Sequence, residues 1–349
     1  MKLPTIKDIA SEAGVNKCVV SHVLKDDAYA AKVRPETRRR ILDIAGKLGY
    51  RRNALASAIR TGQVNTIAVI LNMKHFQTIV PFNQIMAGIM LETGAHGQSV
   101  KIFTDDDLEN SFLQITESRI DKVIMISIEH ELREKAAELA EKYSLQLVYA
   151  YERGHRQFPA VNVDNIEMTT RAVHYLAEHG HTRIGLLCVP HRRLYVQARH
   201  NGYLQGMEQC GLKTDPRWIC CSEDTGSFLE EIFAHPVNQC PTAFVALSDG
   251  IAAKVQSYAM RRGMDFPKDI SVIGIGDTDI SNQLPYPLTT FRESLQETGN
   301  LLVRLVLGEK PDFPPDEFNV YRTHAEFIER ESVYTIDTSR KLQVSSKKS

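Results

Sequence analysis

The chain has 349 residues, 43% hydrophobic and 24% charged, which is the length of two or three domains and the composition of an ordinary soluble globular protein. No run of about 18 consecutive apolar residues occurs, so neither a transmembrane helix nor a membrane partner is expected. The net charge of −1 hides an asymmetry: residues 1–62 carry a net +7 and the remainder a net −8, so the head alone is expected to meet a polyanion.

The opening MKLPTIKDIASEAG has no apolar h-region and no small-residue cleavage site, so no secretory signal is expected. Thr5 and Asp8 form a capping-box pattern with a shorter acid than usual, opening a helix whose inward face is Ile6, Ile9, Ala10 and Ala13. Gly14 stops it, and Asn16 caps a second helix with Val19, Val20, Val23 and Leu24 inside. After a looser KDDAYAAKVR, Pro35 starts a third helix that turns Ile41, Ile44, Ala45 and Leu48 inward. Two helices joined by a tight glycine turn and supported by a third make a helix-turn-helix pattern, in which the exposed start of the second helix enters the DNA major groove. Lys17, Cys18, Ser21 and His22 fall together on the polar side of that second helix, where base edges and phosphates would be met. Residues 53–61, NALASAIRT, are alanine-rich and helix-prone but only two turns long, a helix that is marginal alone in water.

From Asn65 the pattern changes. TIAVIL, VKIFT, KVIMIS and LQLVYAY are short β-rich apolar runs separated by helical lengths, and RIGLLCV, WICC, AFVAL and ISVIGIG form a second series. Strands alternating with helices predict parallel sheets covered on both faces, and two series predict two lobes with a ligand cleft at the strands' carboxyl ends. Catalytic motifs are weak. Gly274-Ile275-Gly276 lacks the third glycine and following helix of a dinucleotide site and reads as a strand-end turn. His179-Gly180-His181 reads as a helix-end cap and turn before a metal pair, and Asp105-Asp106-Asp107 as a solvated loop before a cation site. The six cysteines, at 18, 188, 210, 220, 221 and 240, show no CxxC spacing and suit buried or idle thiols in a reducing cytoplasm. No catalytic residue, metal or cofactor is predicted.

TIKDIASEAGVNKCVVSHVL, PETRRRILDIAGKLGY and RNALASAIRTGQVNTIAVI closely resemble the opening of the lactose-repressor (LacI/GalR) family of bacterial transcription regulators. The resemblance continues to about residue 333 through RIDKVIMIS, VNVDN, HYLAEHGHTRIGLL, ISVIGIGDT, PLTTFRESLQETG and ERES. It implies an all-α helix-turn-helix head on an α/β body of two doubly wound parallel-sheet lobes of the periplasmic-binding-protein-like type. The implied divisions are a DNA-binding domain at 1–50, a hinge helix and linker at 51–63, and a ligand-binding and dimerisation core at 64–335. Within the core, lobe one takes about 64–162 and 292–319, and lobe two about 163–291 and 320–335. Residues 334–349 lack leucine heptads, so no tetramerising coiled coil is expected, and the tail at 336–349 is expected to be disordered.

The resemblance also implies roles. Lys17, Cys18 and His22 match base-reading positions, Ser21 and Thr5 match positions near the phosphates, and Asn53 matches a backbone contact at the start of the hinge. Ile59 matches an apolar wedge in the operator's minor groove, with Arg60 beside it. His22 departs from the family's usual arginine, whose fork suits guanine O6 and N7, and Cys18 offers only a weak donor and a small apolar contact. In the cleft, Arg199 matches a ligand-gripping arginine and Arg193 a second polar position. Ser248 and Asp249 stand where an Asn-Asp or similar pair is usual, and Pro81 and Phe82 match an aromatic pair with one aromatic lost. Gly276 replaces an aspartate that commonly grips the ligand, and Asp277 matches its neighbour. Losing a carboxylate while keeping two arginines predicts an anionic sugar derivative as effector. The expected protein is a cytoplasmic repressor, not an enzyme, that binds a palindromic double-stranded DNA operator as a homodimer under control of a small carbohydrate or derivative. The rival readings are a solute-binding protein, against which the basic head argues, and an enzyme on a flavodoxin-like fold, for which no nucleophile, metal site or phosphate cradle is apparent.

Overall fold

The computed structural model describes residues 4–26, 28–51, 64–72, 80–190 and 193–337. The chain divides into two units, residues 1–64 and 65–349, each taken here by itself.

The head holds three helices, α1 (Ile6–Ala13), α2 (Lys17–Lys25) and α3 (Pro35–Lys47). The backbone N–H and the hydroxyl of Thr5 both donate to the Asp8 carboxylate at 2.7 Å, fixing the start of α1. Gly14 ends α1 at φ 62, a left-handed conformation that glycine adopts without a Cβ penalty. Asn16 then accepts from the Cys18 amide at 2.9 Å to cap α2, so a single residue of turn separates one cap from the next. Ile9, Val20 and Ile41, one from each helix, are fully buried together with Ala13, Val23 and Ile44. Burial of such side chains stabilises by about 1.5–3 kcal/mol each, which is how so small a unit holds its shape. The looser segment after α2 includes a single 3-10 turn at Ala30–Lys32, with Ala30 buried.

The core unit begins with β1 (Thr66–Leu71), α4 (Val80–Ala95), β2 (Ser99–Thr104), α5 (Leu108–Glu117), β3 (Lys122–Ile126), α6 (His130–Tyr143), β4 (Gln146–Ala150) and β5 (Ala160–Val163). It continues with α7 (Asn165–Glu178), β6 (Ile184–Cys188), α8 (Leu194–Gln209), β7 (Ile219–Cys221), α9 (Thr225–Ile232), β8 (Ala243–Ala246), α10 (Asp249–Arg261), β9 (Ser271–Ile275), α11 (Asp279–Gln283) and β10 (Thr289–Glu293). Last come α12 (Leu295–Val306), β11 (Val320–Thr323) and β12 (Ala325–Ile328). One sheet has the strand order β11-β5-β4-β3-β1-β2 and the other β12-β10-β9-β8-β6-β7. All pairs are parallel except β10 with β12. Runs such as Ile67–Leu71 and Ile184–Cys188 are buried without alternation, as expected for strands with helices on both faces.

The chain returns to the first lobe through α12, which lies directly on α4. A Cβ on Gly88 would stand 2.1 Å from the Gln296 carbonyl oxygen, and one on Gly299 would stand 2.3 Å from that of Ile85. Only glycine permits that approach of two helix backbones. The lobe boundaries shift from those expected from sequence. Val163 still pairs with Thr323 in the first sheet, and Thr289–Glu293 completes the second sheet before the crossing. Residues 320–323 belong to the first lobe instead of the second, because β11 pairs with β5 and only β12 pairs with β10. The expected hinge helix and the tail beyond 337 lie outside the described residues.

Candidate functional site

In the head, α2 carries the proposed DNA-reading residues on one side. Lys17 and Cys18 are exposed, and Ser21 and His22 are half-buried one turn further on. Val20 and Val23, on the other side, anchor the helix in the head's core. Sequence reasoning missed one partner: the His22 ring lies against Tyr29 with centroids 4.5 Å apart and planes tilted by 40°. Tyr29 is half exposed, so it supports the imidazole from the looser segment while remaining open to solvent. An exposed aromatic in a polar loop was the available signal. Thr5 stays exposed at the start of α1. Asn53, Ile59 and Arg60 lie outside the described residues.

In the core, the carboxyl ends of the strands bring polar groups from both lobes together, but most are engaged with one another. Arg199 on α8 is 6% exposed. Its Nε donates to Asn165 Oδ1 at 2.7 Å, one Nη to the Leu247 carbonyl at 2.9 Å, and the other to Glu293 Oε1 at 2.9 Å. The Tyr195 ring adds a cation–π contact at 5.3 Å. This corrects the charge argument made from sequence: Glu293, at the end of β10, matches Arg199, so the two arginines do not leave the cleft with an unbalanced positive pair. Arg193 stands at the N-terminal end of α8, half-buried.

Ser248 caps α10 by accepting from the Ile251 amide at 3.2 Å. Asp249 is turned inward and 1% exposed. One oxygen accepts from the Thr278 amide at 2.7 Å and its hydroxyl at 3.0 Å, and the other accepts from the Thr290 hydroxyl at 2.6 Å. These bonds hold the turn after β9, where Gly276 has φ 129 and Asp277 φ 45. An aspartate would be strained at Gly276, so the glycine belongs to the turn. Asp277 is similarly consumed: it accepts from Ser281 at 3.1 Å, Arg330 at 2.6 Å and Arg292 at 2.8 Å. Burial works against its charge, but the bonds from Arg330, Arg292 and Ser281 outweigh it and hold the carboxyl below its ordinary range. Phe82 is 1% exposed within the first lobe's core, with one face stacked on Tyr151 at 5.3 Å. Pro81 contributes no described side chain.

Two residues that sequence reasoning passed over stand out at the end of β4. Tyr151 and Glu152 have consecutive positive φ angles, 66° and 58°, which turn both side chains into unusual directions. The Tyr151 hydroxyl and both Glu152 carboxylate oxygens are buried with no hydrogen-bond partner among the described residues. Burial pushes the Glu152 carboxyl above its ordinary range against the pull of Arg133, the Tyr195 amide, Arg193 and Arg153. Burial and the nearby Glu293 likewise raise the Tyr151 phenol. Arg133, buried behind them, is already committed to the carbonyls of Ser127 and Ala150 at 2.9 and 3.0 Å and to that of Arg153. Unmatched buried polar groups are costly, and a hydroxyl-bearing molecule in this seam between β4 and α8 would supply the missing hydrogen bonds.

The histidine motif behaves as read, whereas Asp105 in the loop expected to be solvated is only 4% exposed. His179 packs on Tyr175 and its Nδ1 donates to the Tyr175 carbonyl at 2.7 Å at the end of α7. His181 is fully buried between the Thr242 hydroxyl at 3.0 Å and the Tyr334 carbonyl at 2.9 Å. Asp107 caps α5 through the Asn110 amide at 3.0 Å, and Asp105 accepts from Asn72 at 3.0 Å. Among the described residues no group of three or more His, Cys, Asp and Glu could hold a metal, and no helix is long and apolar enough to cross a membrane.

A basic three-helix head with an exposed polar face on its second helix, carried on a two-lobed parallel-sheet core, defines a DNA-binding transcription regulator. Residues 5–53 match the family model for bacterial regulatory proteins of the lacI family, and residues 173–333 match that for a periplasmic binding protein-like domain. The chain belongs to the lacI family of bacterial regulatory proteins. It is 28% identical over 322 residues to the transcriptional repressor CytR of Escherichia coli strain K12, covering 87% of this chain and 89% of that one. It is 27% identical over 342 residues to the repressor PurR of Pasteurella multocida strain Pm70, covering 95% and 99%. Among solved structures, a lac repressor dimer bound to operator and the anti-inducer ONPF superposes with a TM-score of 0.72 at 20% identity, covering 95% of this chain and all of that one.

Proposed function

We propose that the chain is a cytoplasmic transcriptional repressor, not an enzyme, which binds a near-palindromic operator as a homodimer and releases or grips it according to a small carbohydrate effector in the interlobe cleft. The observation that carries this reading is the second helix of the head. Its exposed Lys17 and Cys18 and half-buried Ser21 and His22 share one face in a segment of net charge +7. Such a helix start fits the major groove, and two heads on a two-fold axis require two half-sites about one helical turn apart or a multiple of it. Asn53, Ile59 and Arg60 would extend the contact into the minor groove by family resemblance. A gel shift on a selected palindrome tests the reading. Neutralising about six phosphates gives a log–log salt slope near −5, and a salt-independent interaction would refute it.

The effector reading rests on the unmatched Glu152 carboxyl and Tyr151 hydroxyl beside Arg193 and the Arg199–Glu293 pair. An acceptor-rich seam receives hydroxyl donors, as neutral sugars supply them, and it gives no preference for the anion expected from sequence. The relatives' assignments as repressors support the regulatory reading. Calorimetry with glucose, gluconate and glucose 6-phosphate compares the charge classes directly.

A further inference from the structure

Cys188 and Cys221 stand 33 positions apart, and nothing in their spacing suggests that they meet. β6 and β7 are neighbouring parallel strands, and Cys188 is the register partner of Cys221. Adjacent strands lie about 4.8 Å apart, within the Cα separations that disulfides span. Register partners also point to the same face. Cys188 and Cys221 pack with one hydrophobic cluster and Cys220 with another, so the intervening residue faces the opposite side of the sheet. The Cys188 and Cys221 sulfurs are 3.0 Å apart, and a disulfide of about 2.05 Å needs roughly 1 Å of closure, within the reach of side-chain rotation.

The two thiols are not equivalent. Cys188 is 1% exposed, whereas Cys221 is only half-buried, so a solvent-borne oxidant reaches Cys221 first. The Cys188 thiol points at the Cys221 sulfur and at the Cys220 carbonyl oxygen, both at 3.0 Å. Burial meanwhile pushes the Cys188 thiol up, which suits it to wait as the second partner.

We propose that Cys188 and Cys221 are a redox-modification site, in which a hydroperoxide oxidises Cys221 and Cys188 then closes a disulfide between β6 and β7. In the first step the Cys221 thiolate attacks one peroxide oxygen, the O–O bond breaks, and the departing oxygen takes a proton, leaving a sulfenic acid. In the second step the Cys188 sulfur attacks the Cys221 sulfur, the S–O bond breaks, and the hydroxyl leaves with the Cys188 proton as water. The two sulfurs give up two electrons and the peroxide accepts them; an external dithiol reverses the bond by exchange. The bond ties together the ends of two strands. β6 leads toward Arg193 and α8, and β7 leads through residues 222–224 into α9, so oxidation braces the second lobe's side of the cleft.

The test treats the full-length protein with hydrogen peroxide, blocks remaining thiols with iodoacetamide, and maps peptides without reduction. The expected result is loss of two alkylatable thiols and a mass lower by two hydrogen atoms, with the cross-link joining Cys188 to Cys221 and disappearing on dithiothreitol. Cys220→Ser retains the cross-link. Cys188→Ser abolishes it and leaves Cys221 trapped as a dimedone adduct. Cys188 and Cys221 both remaining alkylatable in the folded wild-type protein would overturn the proposal, and so would a cross-link through Cys220.

Discussion

The head and the core treat their polar side chains in opposite ways. In the head, backbone devices set α2: the Gly14 turn, the Asn16 cap and the buried Val20 and Val23. The side chains of Lys17 and Cys18 are left on the surface. In the core, the polar groups at the strand ends are spent on one another. Arg199 holds Asn165, Leu247 and Glu293, Asp249 holds Thr278 and Thr290, and Asp277 holds Ser281, Arg292 and Arg330. The contrast teaches that the exposed side chains of α2 can change by substitution without disturbing the fold, whereas the polar residues around the cleft carry stability.

The largest test of that contrast is Arg199→Ala. It leaves Glu293 buried without its cation and removes three hydrogen bonds, so core stability should fall by about 3–5 kcal/mol in urea unfolding. Arg199→Met combined with Glu293→Leu should lose less than Arg199→Ala, because no charge is then stranded. Equal losses would mean that packing and the other bonds, not the ion pair, set the cost.

A second test is pH. Burial pulls His181 down to about 4, while an exposed histidine titrates near 6.5. The unfolded chain therefore binds the proton more readily than the folded one. The contribution is complete above about 6.5 and is lost progressively as pH falls toward 4, amounting to about 3 kcal/mol. Urea midpoints between pH 7.5 and 4.5 should drop for the wild type and change less for His181→Gln. Parallel curves would assign the acid sensitivity to other groups.

The same contrast explains what was legible in the sequence. The head was readable almost residue by residue because caps and helix periodicity are local signals: Thr5 with Asp8, Gly14, Asn16 and Pro35 each act within a few positions. The eight strands that stand as apolar runs in two series were readable for the same reason. The short crossing strands were not, because Val320–Thr323 belongs to the first sheet only through its pairing with Ala160–Val163, more than 150 residues away. Nor could the sequence reveal that Glu293 neutralises Arg199, or that Tyr151 and Glu152 turn inward through positive φ. Both depend on partners brought by the fold. Cys188 and Cys221 are a further case, neighbours by strand register alone.

In the head the expected effects fall on operator binding. Lys17→Ala removes an exposed side chain, so stability should move by less than about 0.5 kcal/mol. Operator affinity should weaken by about 1–3 kcal/mol if Lys17 meets a base edge. Competition gel shifts against operators varied one base pair at a time separate the two possible roles. A loss uniform across sequences assigns Lys17 to phosphate, and a relaxed preference at one position assigns it to a base.

His22→Arg has the smallest expected effect on energy and the most specific one on sequence. The imidazole rests on Tyr29 at 4.5 Å, and a guanidinium can stack on the same ring, so the substitution should leave the head folded. What changes is the donor set. A neutral imidazole gives one hydrogen bond, whereas the arginine fork gives two in the geometry of guanine O6 and N7. Selection from a randomised duplex library should therefore move one position of each half-site toward guanine, with total affinity for the best site altered by about 1 kcal/mol or less. Because the two heads read symmetric half-sites, the shift should appear twice, at mirror positions. An unchanged selected consensus would show that His22 serves the Tyr29 contact alone and reads no base.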